Sequence, residues 1–309
     1  VARRLGRPAP PVALAVSLVA LGLAAGEARR EGILPPAARF AWPADGGRAA
    51  RLRPLLDRIP PDAPVSAQSN LFPHVSQRER VYVFPAVEDA AYVLLDVAGP
   101  SAPLYPDDLF DEAAALLLGA RFELLGADDG LLLFRRRPAD GAGAGGRRAG
   151  GPSGAALPDT FLDFARGAPA AAATPARARF GGALELVGYR LEPVLEVNYA
   201  VRRAVAVLDL RAARPLDRNY RFPLFVIGAD GAARRYDDGN AAQLWHPTSR
   251  WRPGEVVRLR YPPLDYTPGD RLGVGVQPGR DPAAARLPVD GGDLPALDGG
   301  QVALLGALP

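Results

Sequence analysis

The chain contains no cysteine, no methionine and no lysine. Without cysteine there is no disulfide, no thiolate metal site and no cysteine nucleophile. The compartment stays open, because many exported proteins manage without disulfides. Lacking lysine, the chain draws all 37 of its basic residues from arginine. Beside so much alanine, glycine and proline, this reads as the codon bias of a GC-rich genome, not as an arginine-specific function. Methionine is missing even from position 1, where Val1 stands. Valine can be a bacterial start read from an alternative codon, and a chain cut from a longer one looks the same; the cut is the expectation. An excess of charge of either sign is missing too. The formal net charge is only +3 and is evenly spread, which argues against nucleic acid as a partner.

The residues present point to two soluble domains. A length of 309 residues suffices for them, since single cores stop growing at roughly 250–300 residues. An apolar share of 48% with 23% charged residues is globular. The 34 glycines and 33 prolines imply many turns, short strands and a loose linker.

One long uncharged run exists, Pro8 to Gly26, with Arg3, Arg4 and Arg7 before it and Glu27, Arg29 and Arg30 after it. A bilayer core needs about 20 apolar residues of helix, so the length just suffices. A transmembrane helix is expected over residues 1–31. A secretory signal peptide competes, with Ala24 and Gly26 as small residues at a cleavage site, and a buried core helix is the third option. Under either of the first two, the arginines stay in the cytoplasm and the chain beyond Gly26 lies outside the cell membrane.

Residues 32–138 read as a small α/β domain with a mixed sheet. Leucines at 52, 55 and 56 give Arg48–Arg58 an amphipathic helical spacing, stopped at Pro60-Pro61. Pro64–Ala67 and Val81–Phe84 are short strands, and Tyr92–Asp96 is continuous and apolar, as a strand buried on both faces should be. Between the first two, Ser69 or Asn70 can cap a short helix. Pro106 opens a helix to about Leu118, with Asp107 and Asp108 in its first turn. Phe122–Leu125 and Leu131–Arg135 form a hairpin around Asp129-Gly130.

The ordered run Ile59-Pro60-Pro61-Asp62-Ala63-Pro64-Val65-Ser66-Ala67-Gln68-Ser69-Asn70-Leu71, then Pro73-His74-Val75-Ser76, Val81-Tyr82-Val83-Phe84-Pro85 and Ala91–Asp96 resembles the soluble part of the predicted membrane proteins known as domain of unknown function 2079. That family in turn resembles polytopic glycosyltransferases that use lipid-linked sugar donors. The resemblance covers roughly residues 55–137, and it implies a soluble domain following the last of several transmembrane helices. The multi-helix part is missing here, and with it the early extracytoplasmic loop that carries catalytic acidic residues in such enzymes. No catalytic residue is therefore assigned.

His74 sits near Asp62, Ser66, Ser69 and Ser76, but no Gly-x-Ser-x-Gly elbow accompanies them. It is expected to tie its loop to the sheet, with ligand contact by His74 and Asn70 as the alternative. Asp107, Asp108, Asp111 and Glu112 are expected to be a solvated helix start, with a cation site as the alternative, though they lack the alternating ligands and glycine of a calcium loop.

Residues 139–178 are expected to be a flexible linker, with Thr160–Phe164 as an apolar island docking on one domain. From 179 to 309, roughly seven or eight short strands at regular spacing, Val194–Val201 among them, predict an antiparallel β-sandwich. Its aromatic residues Tyr236, Trp245 and Trp251 lie in or near loops, beside Asp237, Asp238, Asn240 and Gln243. They are candidates for stacking on sugar rings, or, for Trp251, a plug at one end of the sandwich.

The expected fold is thus α/β plus all-β: a transmembrane helix, a small α/β domain, then a β-sandwich. The expected role is the extracytoplasmic tail of a glycosyltransferase-like membrane protein. Such a tail is not catalytic by itself, is held in the membrane by its helix, and positions a glycan, a lipid-linked sugar or an envelope partner. The alternative is a stand-alone anchored or secreted carbohydrate-binding or adhesive module. No cofactor or metal ligand set is recognised.

Overall fold

The structure, a computed structural model, describes residues 10–31, 47–138, 157–168, 173–194, 202–236, 239–279 and 281–309. It divides into two units, residues 1–48 and 49–309.

The first unit holds helix α1 (Pro10–Glu31). Valine, leucine and alanine face every side of it, so no stripe exists that one core could cover. None of Val12–Arg30 is buried, and this 19-residue stretch is long and apolar enough to cross a membrane. At 1.5 Å per residue it reaches about 28 Å, close to the hydrocarbon thickness of a bilayer. Among the described residues none covers the helix, unlike a core helix, which hides its apolar surface inside protein.

Helix α2 (Arg48–Leu56), all but its first residue in the second unit, is followed by β1 (Val65–Ala67), β2 (Val81–Val83), β3 (Tyr92–Asp96), α3 (Pro106–Leu118), β4 (Phe122–Asp128) and β5 (Leu131–Arg136). The five strands form one mixed sheet in the order β2-β1-β3-β5-β4. β1 runs parallel to β2 and β3, whereas β5 is antiparallel to β3 and β4. The period-2 pleat explains the continuous apolar runs. Leu94, Leu131 and Leu133 point to one face, where Leu52, Leu55 and Ile59 cover them. Val93, Leu95, Leu132 and Phe134 point to the other, against Leu109 and Ala113 of α3. Each such valine, leucine, isoleucine or phenylalanine contributes roughly 1.5–3 kcal/mol on burial. Two covered faces make three layers. At the hairpin tip Asp129 and Gly130 take φ of 48° and 77°, the two positive values a tight two-residue turn needs.

The sandwich comprises β6 (Thr174–Phe180), β7 (Leu184–Val194), β8 (Arg202–Ala212), β9 (Tyr220–Arg221), β10 (Leu224–Ile227), β11 (Ala233–Tyr236), helix α4 (Ala241–Trp245), β12 (Val256–Arg260), β13 (Leu264–Tyr266), β14 (Arg271–Gly275), β15 (Gln277–Pro278), β16 (Val289–Gly292), β17 (Ala296–Leu297) and β18 (Val302–Ala307). One sheet runs β12-β8-β7-β6-β16, with β13 also on β8; the other runs β11-β10-β14-β18-β17. Every pairing among them is antiparallel. Strand β6 shows the logic: Ala176, Ala178 and Phe180 are buried, while Arg177 and Arg179 between them face out.

Three details depart from the expectations set by sequence. The sandwich starts at Thr174, inside the stretch expected to be linker, because alternation hidden among alanines carries little contrast. There are more strands than the seven or eight expected, since two- and three-residue strands leave no periodicity to read. Of the strand expected at Val194–Val201, only Val194 is described, as the end of β7, and residues 195–201 lie outside the described residues.

The stretch 157–168 docks on both domains rather than on one. Asp129 and Gly130 donate main-chain bonds to the carbonyls of Thr160 and Phe161 at 3.0 and 2.9 Å. Further along, Arg258 donates to Ala165 at 2.7 Å and Gly167 to Val256 at 3.3 Å, extending the edge of β12. Phe161 is fully buried and meets Trp245 edge-on at 5.1 Å; Phe110 of α3 does the same at 5.0 Å. Arg51 adds an ionic pin, reaching Asp128 at 3.1 Å and Asp163 at 3.2 Å.

Candidate functional site

Between the α/β domain and the sandwich lies a cleft of about 500 Å³. One wall is the loop Val97–Pro106, whose shape is dictated from beneath. Asp96 is buried and accepts the N–H groups of Ala98 and Gly99 at 3.1 and 2.9 Å. Its other oxygen accepts from the Asn70 amide at 2.9 Å. Gln68 donates to the carbonyl of Pro100 and accepts from the N–H of Asp96, while Ser69 donates to the carbonyl of Ala102. Gly99 is required here: a Cβ would stand 2.5 Å from Asp96 and 2.8 Å from Asn70. Gln68, Ser69 and Asp96 thus hold the loop wall in shape by answering main-chain groups, and Asn70 braces the Asp96 carboxylate.

The opposite wall is sandwich, from β8 (Arg203, Val205), the Arg260–Pro263 turn and the start of α4. Asn240 sets α4 by accepting from the N–H of Gln243 at 2.9 Å, the usual satisfaction of an orphan helix donor. Aromatic surface comes from Tyr105, Phe110, Trp245 and Tyr261. Tyr105 stands at the rim, 73% exposed. Arg260 pairs with Glu192 at 2.6 Å and Arg203 with Asp265 at 3.0 Å. Burial pulls the Glu192 carboxyl upward, but hydrogen bonds from Arg260 and Arg190 outweigh it and hold the group below the usual carboxylate range.

The residues singled out from sequence fall into different settings. Trp245 lines the cleft. Asn70 shapes the loop wall from below, its buried amide oxygen having no hydrogen-bond partner among the described residues. His74 is exposed at the end of the turn Phe72–His74, and it is its neighbour Val75, fully buried, that ties this turn to the core. Tyr236 lies on the edge strand β11, half-buried, donating to the carbonyl of Asp265 at 3.2 Å. Trp251 is 3% exposed, stacked on Phe222 at 5.8 Å, with its indole N–H on the carbonyl of His246. Its ring faces are occupied by protein, as a sandwich plug requires.

Sequence reasoning passed over Tyr105, Arg203, Arg260 and His246. The proline-dense Pro100–Pro106 stretch was a signal for a stiff, exposed aromatic, but nothing local joins it to Arg203 and Arg260, far along the chain. His246 is buried 3.4 Å from Glu255, which also pairs with Arg166 at 3.0 Å. Burial pushes its imidazole below the ordinary histidine range, more than Glu255 raises it. Among the described residues no group of three or more His, Asp or Glu side chains is arranged to hold a metal ion.

Residues 30–133 match a family described as "Predicted membrane protein (DUF2079)". The match covers a third of the chain, ending within β5 of the α/β domain and leaving the sandwich outside. It includes the loop wall of the cleft and the polar residues that shape it. No curated protein and no solved structure matches the chain.

Proposed function

We propose that this chain is the membrane-anchored, extracytoplasmic binding region of a glycosyltransferase-like membrane protein, that it is not catalytic by itself, and that the cleft between its soluble domains holds a glycan. The observation carrying this reading is the cleft itself. It has the volume of a small-ligand site, stiff walls, and an aromatic ring exposed at its rim, the surface on which a sugar ring stacks. The match to predicted membrane proteins and the bare apolar helix supply the membrane. Arginines before that helix favour a cytoplasmic start and an external body.

A glycan array probed with the full chain in detergent micelles tests the reading. Binding is expected, and Tyr105→Ala should weaken it at least tenfold without moving the thermal midpoint, because the ring is largely exposed. Array binding that survives Tyr105→Ala unchanged would place the glycan elsewhere, and no binding at all would remove the carbohydrate role.

A further inference from the structure

We infer that the ligand of this cleft carries an anionic group, a phosphate or a uronate carboxylate, received by Arg260 and Arg203 while Tyr105 stacks on an attached sugar ring. This rests on the cleft being the ligand site and adds the chemical class of what it takes.

Both charged side chains lining the cleft are arginines, and among the described residues no aspartate, glutamate or histidine lines it. Its other strong polar groups are already engaged. The Asn240 amide is held on both sides by Gln243, and the Tyr261 hydroxyl donates to the carbonyl of Phe222 at 2.8 Å. Asp96 lies under the loop with its oxygens taken by Ala98, Gly99 and Asn70. The side chains that face a ligand are therefore guanidinium with a few hydroxyls. A neutral sugar both donates and accepts through every hydroxyl and needs acceptors in its site. A guanidinium donates only, and its planar fork fits carboxylate and phosphate.

Arg260 is half exposed and makes one hydrogen bond among the described residues, to Glu192. That carboxylate is shared: its other oxygen takes Arg190 at 2.6 Å. Two arginines on one carboxylate leave Arg260 incompletely neutralised. Arg203 stands on the same wall, held by Asp265. Proline and aromatic surface around them lowers the local polarity, which strengthens a charge-assisted contact.

Titration of the full chain in micelles with three probes decides the matter: a disaccharide ending in a uronic acid, the same disaccharide with its carboxylate reduced to an alcohol, and a hexose 1-phosphate. Either anionic probe is expected to bind at least tenfold more tightly than the reduced one. Which of the two binds better distinguishes a uronate from a phosphate source. Arg260→Gln should remove that preference, and Arg260→Lys should restore part of it if charge, not packing, is at work. Equal binding of the reduced and acidic disaccharides would overturn the inference and leave the glycan cleft intact. Anion preference untouched by Arg260→Gln and by Tyr105→Ala would also overturn it, by moving the anion outside the cleft. Binding of no probe would count against both readings. Tyr105→Ala guards against misfolding as an explanation, since that ring contributes little to the core.

Discussion

Trp251 and His246 show how closely packing and chemistry are joined at single residues. The indole of Trp251 stacks on Phe222 and holds the main chain at His246. Truncation to alanine leaves a cavity and an unpaired carbonyl, so Trp251→Ala should cost about 3–5 kcal/mol, read from a urea midpoint. His246 sits in the same pocket with a pKa depressed by burial. An imidazole whose folded pKa lies below its unfolded value of about 6.5 resists a proton that the unfolded chain accepts. Stability is therefore fully present above that value and falls as the pH drops below it, towards the depressed pKa of the folded state. His246→Gln should flatten this part of the profile, while carboxylates such as Glu192 act only at lower pH. Trp251 as a plug was legible as an aromatic residue in a loop of a strand-forming stretch. The burial of His246 was not, because Leu244-Trp245-His246-Pro247 has no period that marks an inward face.

Elements that the sequence announced are those with a repeating pattern. Tyr92–Asp96 reads as a doubly covered strand and is one; Pro106 opens a helix where an acidic first turn suits the dipole; Asp129-Gly130 forms the turn its composition demands. Strands of two or three residues and the five-residue α4 carry too little pattern to be seen. Of residues 157–168 the docking island Thr160–Phe164 was readable but its second contact was not, since that structure comes from edges supplied by two other elements. Gly130 is where one of those edges turns. It has φ of 77°, and a Cβ there would stand 2.6 Å from Ala98 and 3.1 Å from Phe164. Gly130→Ala should therefore strain the hairpin and push the docked stretch away, at about 1–3 kcal/mol. Trypsin cleavage at Arg166 should accelerate in that variant, and an unchanged rate would show that the stretch is held without the turn.

At the scale of the molecule, the two soluble domains share one compact unit. Their separate existence was visible in the change from mixed to purely strand-forming sequence, but their union was not, since Phe110, Phe161 and Trp245 meet from three distant places in the chain. The cleft, being a product of that union, was equally hidden. One consequence is cooperative unfolding. Both domains should melt in a single transition, and Phe161→Ala should split it in two, as seen by calorimetry. The anchoring claim has a direct test, made simple by the absence of cysteine. Ala120 and Ala232 are exposed, one on each soluble domain. Replaced singly, Ala120→Cys and Ala232→Cys should both react with a membrane-impermeant maleimide in intact cells, with the labelled chain in the membrane fraction. Labelling only after the cells are broken would put the cleft on the cytoplasmic side and contradict an extracytoplasmic binding region.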